Sequence, residues 1–275
     1  MSQPNILVLD IGGNNVKAVD SNHPEPLKIP SGPQMSAARM VLEVKEATKT
    51  WNPTAISIGY PGPVTKGRIV AEPHNLGPGW VGCDFQAAFG CPVKVVNDAA
   101  MQALGSYEGG NMLFLGLGTG LGSAMIIDGV LAPMELAHLP YRKGKTFEDY
   151  VGQRGLLRLG KGRWREHVEA VIEKLRLALE ADYVVLGGGN ARLIQGKLPE
   201  GVRLGANANA FRGGERLWSH SSAWDYSKAA VAPPSDGAEP TEASAAAGKP
   251  APVQKASKAT KPVKKKAAPA PRKRR

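Results

Sequence analysis

LDIGGNNVK (residues 9–17) and LGLGTGLGSA (residues 115–124) decide the fold of this chain. In the first, the apolar run 5–9 reads as a buried strand that ends at Asp10 and turns through Gly12 and Gly13. In the second, residues 113–117 read as a strand entering a glycine turn at 118–122. Residues 123–127 then continue as another strand, and Asp128-Gly129 is a strong hairpin signal. Gly116, Gly118 and Gly120 alternate as a dinucleotide fingerprint would, but that fingerprint requires a helix after the turn. A strand follows instead, which excludes the Rossmann reading. No GxxxxGK[ST] loop is present either. Glycine lets a backbone approach phosphate closely because no Cβ intervenes. The two stretches therefore read as phosphate-binding turns, one in each half of the chain.

The segments between them predict an α/β protein. Met40, Val41, Val44, Ala47 and Trp51 fall at helical spacing behind Ser36, a candidate N-cap. Residues 55–60 form a strand broken by Pro61-Gly62-Pro63, and 94–96 form a strand that delivers Asn97 and Asp98 to its end. A helix follows over 99–104. Trp164, Val168, Val171, Ile172, Leu175 and Leu179 line one face of a further helix. Residues 183–186 make a short strand ending in Gly187, Gly188 and Gly189.

Several residues in this frame carry chemistry. Asp10, at a strand end, can position Mg²⁺ directly or through its waters. Lys17 is either a phosphate contact or a solvated strand residue. The Thr119 hydroxyl and neighbouring amides suit a nest for phosphate oxygens. Asp98 has two readings: a helix cap, or a general base within reach of a hydroxyl. Glu135 and His138 form an i, i+3 pair suited to a hydroxyl-dense ligand. Metal binding by His138 ranks low, because no second His or Cys lies at ligand spacing.

Charge is concentrated in one place. The chain carries +11, but residues 229–275 contain eleven Lys and Arg against three Asp and Glu, leaving only +3 for the rest. That tail, rich in Ala, Pro and Lys from about residue 225, has no apolar period and is expected to be disordered. Lys/Pro/Ala tails of this type bind polyanions, nucleic acid included, with little sequence preference. Two cysteines, Cys83 and Cys91, are too few for a disulfide framework. No stretch approaches the length of a membrane span. A reducing, cytoplasmic setting is the simplest expectation.

In order, DIGG, PGPV, NDA, GTGxG, ExxH and GGG resemble the signatures of the ROK sugar kinases of the actin/hexokinase-like superfamily. ELAHLPYRKGKTFEDYVGQRGLLRLG (residues 135–160) and GANANAFRGGERLW (residues 205–218) are similar to the polyphosphate glucokinase branch. The resemblance implies two α/β lobes with ribonuclease-H-like sheets around a cleft: residues 1–108, residues 109–224, and a tail at 225–275. It implies that Asp98 activates the 6-hydroxyl of a hexose, and that Asn97, Glu135, His138 and Glu148 hold the other hydroxyls. Gly12, Gly13, Gly118, Thr119 and Gly120 would surround the transferred phosphoryl group, with Asp10, Asn14 and Lys17 beside it. Gly187, Gly188 and Gly189 would lie on the donor side. The implied activity is phosphoryl transfer from polyphosphate, ATP or both to glucose, with Mg²⁺, in a homodimer. An ATP-only glucokinase or glucomannokinase is the near alternative. A sugar-binding regulator whose tail binds polyanions is the alternative of another class. Three departures stand out. Residues 141–146 lack the cysteines of the family's zinc cluster, so no zinc is expected. Asn14 replaces a usual Thr or Ser, and Ala137 replaces the Gly of ExGH.

Overall fold

The computed structural model describes residues 4–194, 196–206 and 208–219; the tail lies outside the described residues. The first half builds a five-stranded sheet from β1 (Ile6–Ile11), β2 (Asn15–Val19), β3 (Leu27–Pro30), β4 (Ala55–Tyr60) and, after the small β5 (Val64–Thr65) and β6 (Arg68–Ile69) hairpin, β7 (Val93–Asn97). Its order is β3-β2-β1-β4-β7. The β1–β2 and β2–β3 pairs are antiparallel, and β1–β4 and β4–β7 are parallel. Helices α1 (Ala37–Ala47), α2 (Phe85–Phe89) and α3 (Asp98–Ser106) belong to the same half. Ser36 caps α1 by accepting from the Arg39 amide, and Met40, Val41 and Val44 are buried as their spacing predicts.

The second half repeats this plan. Its strands are β8 (Met112–Leu117), β9 (Leu121–Ile127) and β10 (Val130–Met134), then β13 (Tyr183–Gly187) and β14 (Val202–Leu204). Between them lie the small hairpin β11 (Pro140–Arg142) and β12 (Lys145–Thr146), and helices α4 (Phe147–Val151) and α5 (Gln153–Ala178). The order β10-β9-β8-β13-β14 has the same two antiparallel and two parallel pairings. Asp128 and Gly129 both take positive φ at the β9–β10 turn, as the Asp-Gly signal requires. Two equivalent turns result, β1–β2 with Gly12 and Gly13, and β8–β9 with Gly118 and Gly120.

Both sheets are covered on two faces, which explains the continuous apolar runs of their central strands. Alternate residues of β1 and β4 (Leu7, Leu9, Ile11, Ile56, Ile58) pack with α1 and Trp80. Alternate residues of β8 and β13 (Leu113, Leu115, Leu117, Val184, Leu186) pack with Trp164 and the buried stripe of α5. The opposite faces meet in a third core, where Val8, Phe114, Ile126 and Val185 pack around Met101 and Leu104 of α3. Helix α3 therefore lies between the sheets. Helix α5 is not continuous: Gly160 has φ 74° and ψ 163° and splits it at a kink.

The last helix, α6 (Asn209–Arg216), returns to the first sheet although it falls in the second half of the sequence. A Cβ on Gly213 would overlap the Met101 carbonyl, and one on Gly105 would overlap the Asn209 carbonyl, so α3 and α6 pack backbone to backbone. Ser57 of β4 donates to the Gly214 carbonyl at 2.6 Å and accepts from Trp218 Nε1 at 2.8 Å. Lys94 donates to the Leu217 carbonyl at 2.8 Å and lies over the Trp218 ring.

Candidate active site

Asp98 is the first residue of α3, at the end of β7 and between the two sheets. The helix cap is its neighbour: the Asn97 side chain accepts from the Ala99 and Ala100 amides. Asn97 Nδ2 also donates to the Gly62 carbonyl at 3.0 Å, tying the PGPV loop to the start of α3. Asp98 Oδ1 accepts from the Ala99 amide at 2.7 Å. Burial, then the negative charge of Asp10, pushes the Asp98 carboxyl up to about 7. A carboxyl with that pKa is suited to accept a proton near neutral pH.

Asp10, near the end of β1, pairs with Lys17 of β2 across the strand ladder at 3.0 Å. Lys17 is thus partly neutralised by a carboxylate of the same turn. Gly12 donates to the Asn15 carbonyl, and its own carbonyl accepts from Ser31 Oγ. Asn14 is exposed, and its carbonyl accepts from the Ser31 amide. Beside Gly13 stands the side chain of Asn75, exposed on the loop before Trp80. Sequence reasoning missed Asn75, because PHNLGPGW carries turn residues without a period. The Glu72 carboxylate anchors that loop by accepting from the Trp80 and Val81 amides.

The second turn is braced from two sides. The Gln153 amide at the start of α5 donates to the Gly118 and Thr119 carbonyls, both at 3.1 Å. Asn190 Nδ2 reaches the Gly118 carbonyl and Gln153 Oε1. Gly188 has φ 80° and presses against Leu117, an approach a side chain would block. Gly188 and Gly189, with Ala191, Arg192, Leu204 and Gly205, line a cavity of about 240 Å³.

Glu135 and His138 are exposed on the loop after β10, 3.9 Å apart. The buried Ala137 between them accepts from the Glu148 amide at 3.0 Å, which couples this loop to α4. The Glu148 carboxylate lies over Gly120, where any Cβ would overlap it, and pairs with Arg154 at 3.3 Å. Glu148 therefore stands at the second glycine turn as well as beside the Glu135–His138 loop. Among the described residues no group of three His, Cys, Asp or Glu is placed to hold a metal.

Residues 28–133 match the model of the ROK family. Over that segment, less than half of its length, the chain is similar to ROK-family proteins. Over 205 residues it is 28% identical to polyphosphate glucokinase of Mycobacterium leprae, covering 68% of this chain and 60% of that protein. The chain thus spans about three fifths of that relative's length. Inorganic polyphosphate/ATP-glucomannokinase from Arthrobacter sp. strain KM superposes with a TM-score of 0.65 at 24% identity, over 78% of this chain and 98% of its own. A ROK family glucokinase from Streptomyces griseus, solved with glucose and AMPPNP, gives 0.58 at 19% identity, over 78% and 98%. The described residues between 4 and 219 therefore take the two-lobed actin-like α/β fold of these solved structures. No described helix is long and apolar enough to cross a membrane.

Proposed function

We propose that the chain is a hexose kinase that transfers a phosphoryl group from polyphosphate, ATP or both to the 6-hydroxyl of glucose. The observation that carries this reading is the placement of Asp98. A carboxyl with its pKa raised to about 7 stands at the start of α3, between the sheets whose glycine turns suit phosphate. Phosphoryl transfer asks the protein mainly for positioning and charge neutralisation, with one group to accept the hydroxyl proton. Asp98 is that acceptor. Asn97, Glu135, His138 and Glu148 hold the sugar hydroxyls, and Asn97 also fixes Asp98 by capping α3. Gly12, Gly13, Gly118, Thr119 and Gly120 present backbone to the phosphoryl group, with Asn14 and Lys17 at the edge. Gly187, Gly188 and Gly189 bound the donor side, and the 240 Å³ cavity beside them suits part of a nucleoside.

Mg²⁺ takes most of its ligands from water and substrate phosphates and needs only one or two protein carboxylates. Asp10 fits that demand: it is a single carboxylate at the first glycine turn, close enough to Asp98 to raise its pKa. The ion would neutralise charge on the donor phosphates, while Lys17 holds Asp10 in place. The supporting relatives are named for polyphosphate and glucose, and both donors remain within the proposal. The domain reading of 1–108 and 109–224, a homodimeric state and a cytoplasmic setting belong to it too.

Formation of glucose 6-phosphate with Mg²⁺ and each donor tests the reading. Turnover that Asp98→Asn reduces by roughly 10²–10⁴ supports it. A variant with near-normal turnover removes Asp98 as the base.

A further inference from the structure

Charge within the described fold is uneven. Residues 1–139 hold eight Lys and Arg against eleven Asp and Glu, whereas residues 140–167 hold eight against three. This basic excess falls on the β11–β12 hairpin and the first part of α5. It begins at the second glycine turn: Gln153 is hydrogen-bonded to Gly118 and Thr119, and the next residue, Arg154, is 73% exposed. Beyond it, Arg158 lies over the Tyr150 ring at 5.1 Å, and Arg142 lies over Tyr141 at 5.4 Å. The two tyrosines pack edge to face at 5.1 Å, so both guanidiniums are held by one aromatic cluster. Both also help hold His167 below its usual pKa, behind the larger effect of burial. Lys143, Lys145 and Lys161 are exposed nearby.

The carboxylates of this region are held mainly by other groups, although the charge of Asp149 is also felt by Lys145. Glu148 faces Gly120 and Arg154, and Asp149 closes the α4 capping box with Thr146. Glu166 is the remaining carboxylate near His167. Among the described residues, none of Arg142, Lys143, Lys145, Arg158 and Lys161 has a carboxylate within 4.0 Å. Guanidiniums such as those of Arg142 and Arg158, pre-positioned over aromatic rings and without a direct carboxylate partner, suit a chain of phosphates. They do not suit single-stranded nucleic acid, which needs free aromatic faces for its bases. Tyr150 is buried, and the tyrosine rings carry arginines.

We infer that Arg142, Lys143, Lys145, Arg158 and Lys161 form a docking strip for the distal part of a linear polyphosphate, whose terminal unit sits at the Gly118–Gly120 turn. The inference rests on the polyphosphate reading of the donor. Its test is steady-state kinetics of the 275-residue chain and of K143Q/R158Q/K161Q with saturating glucose, using long-chain linear polyphosphate, tripolyphosphate and ATP in separate reactions. Loss of three exposed charge contacts raises KM for long-chain polyphosphate about tenfold, with kcat and the KM for ATP unchanged. The wild-type KM for the long chain also rises steeply with salt, and less so in the variant. An unchanged KM for long-chain polyphosphate, or an equal rise with ATP, overturns the strip. If the wild type uses ATP but not polyphosphate, the donor reading fails on its own. The strip then predicts inhibition of ATP turnover by long-chain polyphosphate, with a weaker Ki in the variant; equal Ki values overturn it. Equal inhibition by a single-stranded oligonucleotide at matched charge also overturns it.

Discussion

Asp98→Asn is expected to separate stability from activity. The folded-state pKa of Asp98 is raised from 3.8 to about 7, first by burial and then by Asp10. The sign follows from linkage. Below about pH 4 the carboxyl is neutral in both states and has no differential effect. Between about 4 and 7 the unfolded chain ionises and the folded chain resists, so stability falls as pH rises. Above about 7 the full cost remains. A shift of about three units corresponds to at most about 4 kcal/mol. Because Asp98 is partly exposed, roughly half of that is a fair expectation. Asn keeps the shape and still accepts from the Ala99 amide, but carries no charge. At pH 8 the variant should gain about 2 kcal/mol, which is about 4–8 °C in Tm for a domain of this size. At pH 4 the gain should vanish. Thermal unfolding of wild type and variant at both pH values reads this directly, and kcat should fall roughly 10²–10⁴-fold in the same protein. A lower or unchanged Tm at pH 8 would refute the claim that burial and Asp10 strain this carboxylate.

Other consequences follow from single features. The wild-type kcat/KM should fall about tenfold per pH unit below about 7, as Asp98 takes up its proton; a profile flat between pH 5 and 8 contradicts this. Gly213→Ala places a methyl group on the Met101 carbonyl and should destabilise by about 3 kcal/mol, measured by urea denaturation. Asp20→Ala removes the acceptor for Asn5, for two backbone amides and for the His23 ring, and should cost about 3 kcal/mol at neutral pH. Gly120→Ala displaces Glu148 and should raise the sugar KM more than it lowers kcat, with Tm little changed.

Much of the fold was legible because its central strands are continuous apolar runs and its turns use glycine. Residues 55–60 match β4 to the residue, and Ser36 caps α1 as its position implies. The rejection of a Rossmann helix after Gly120 holds, since β9 runs antiparallel to β8 there. What stayed hidden lacks period or depends on distant contacts. Strand β3 is four residues at a sheet edge, too short to show alternation. The return of α6 to β1 rests on Gly105, Gly213 and Gly214, whose message is the absence of a side chain. At the site, Asp98 was visible from its position after a strand, but its cap partner is Asn97, and only the structure separates the two roles. Asn75 and the Gln153–Asn190 brace come together only through tertiary packing. The disorder expected from residue 225 onward concerns positions outside the described residues.

The most direct test is glucose 6-phosphate formation by the purified 275-residue chain with Mg²⁺, giving ATP and long-chain polyphosphate in separate reactions. Turnover is expected with at least one donor, abolished by EDTA and restored by Mg²⁺. No turnover with either donor, for glucose or mannose, while glucose still binds, would contradict the kinase reading and favour a sugar-binding regulator built on the same fold.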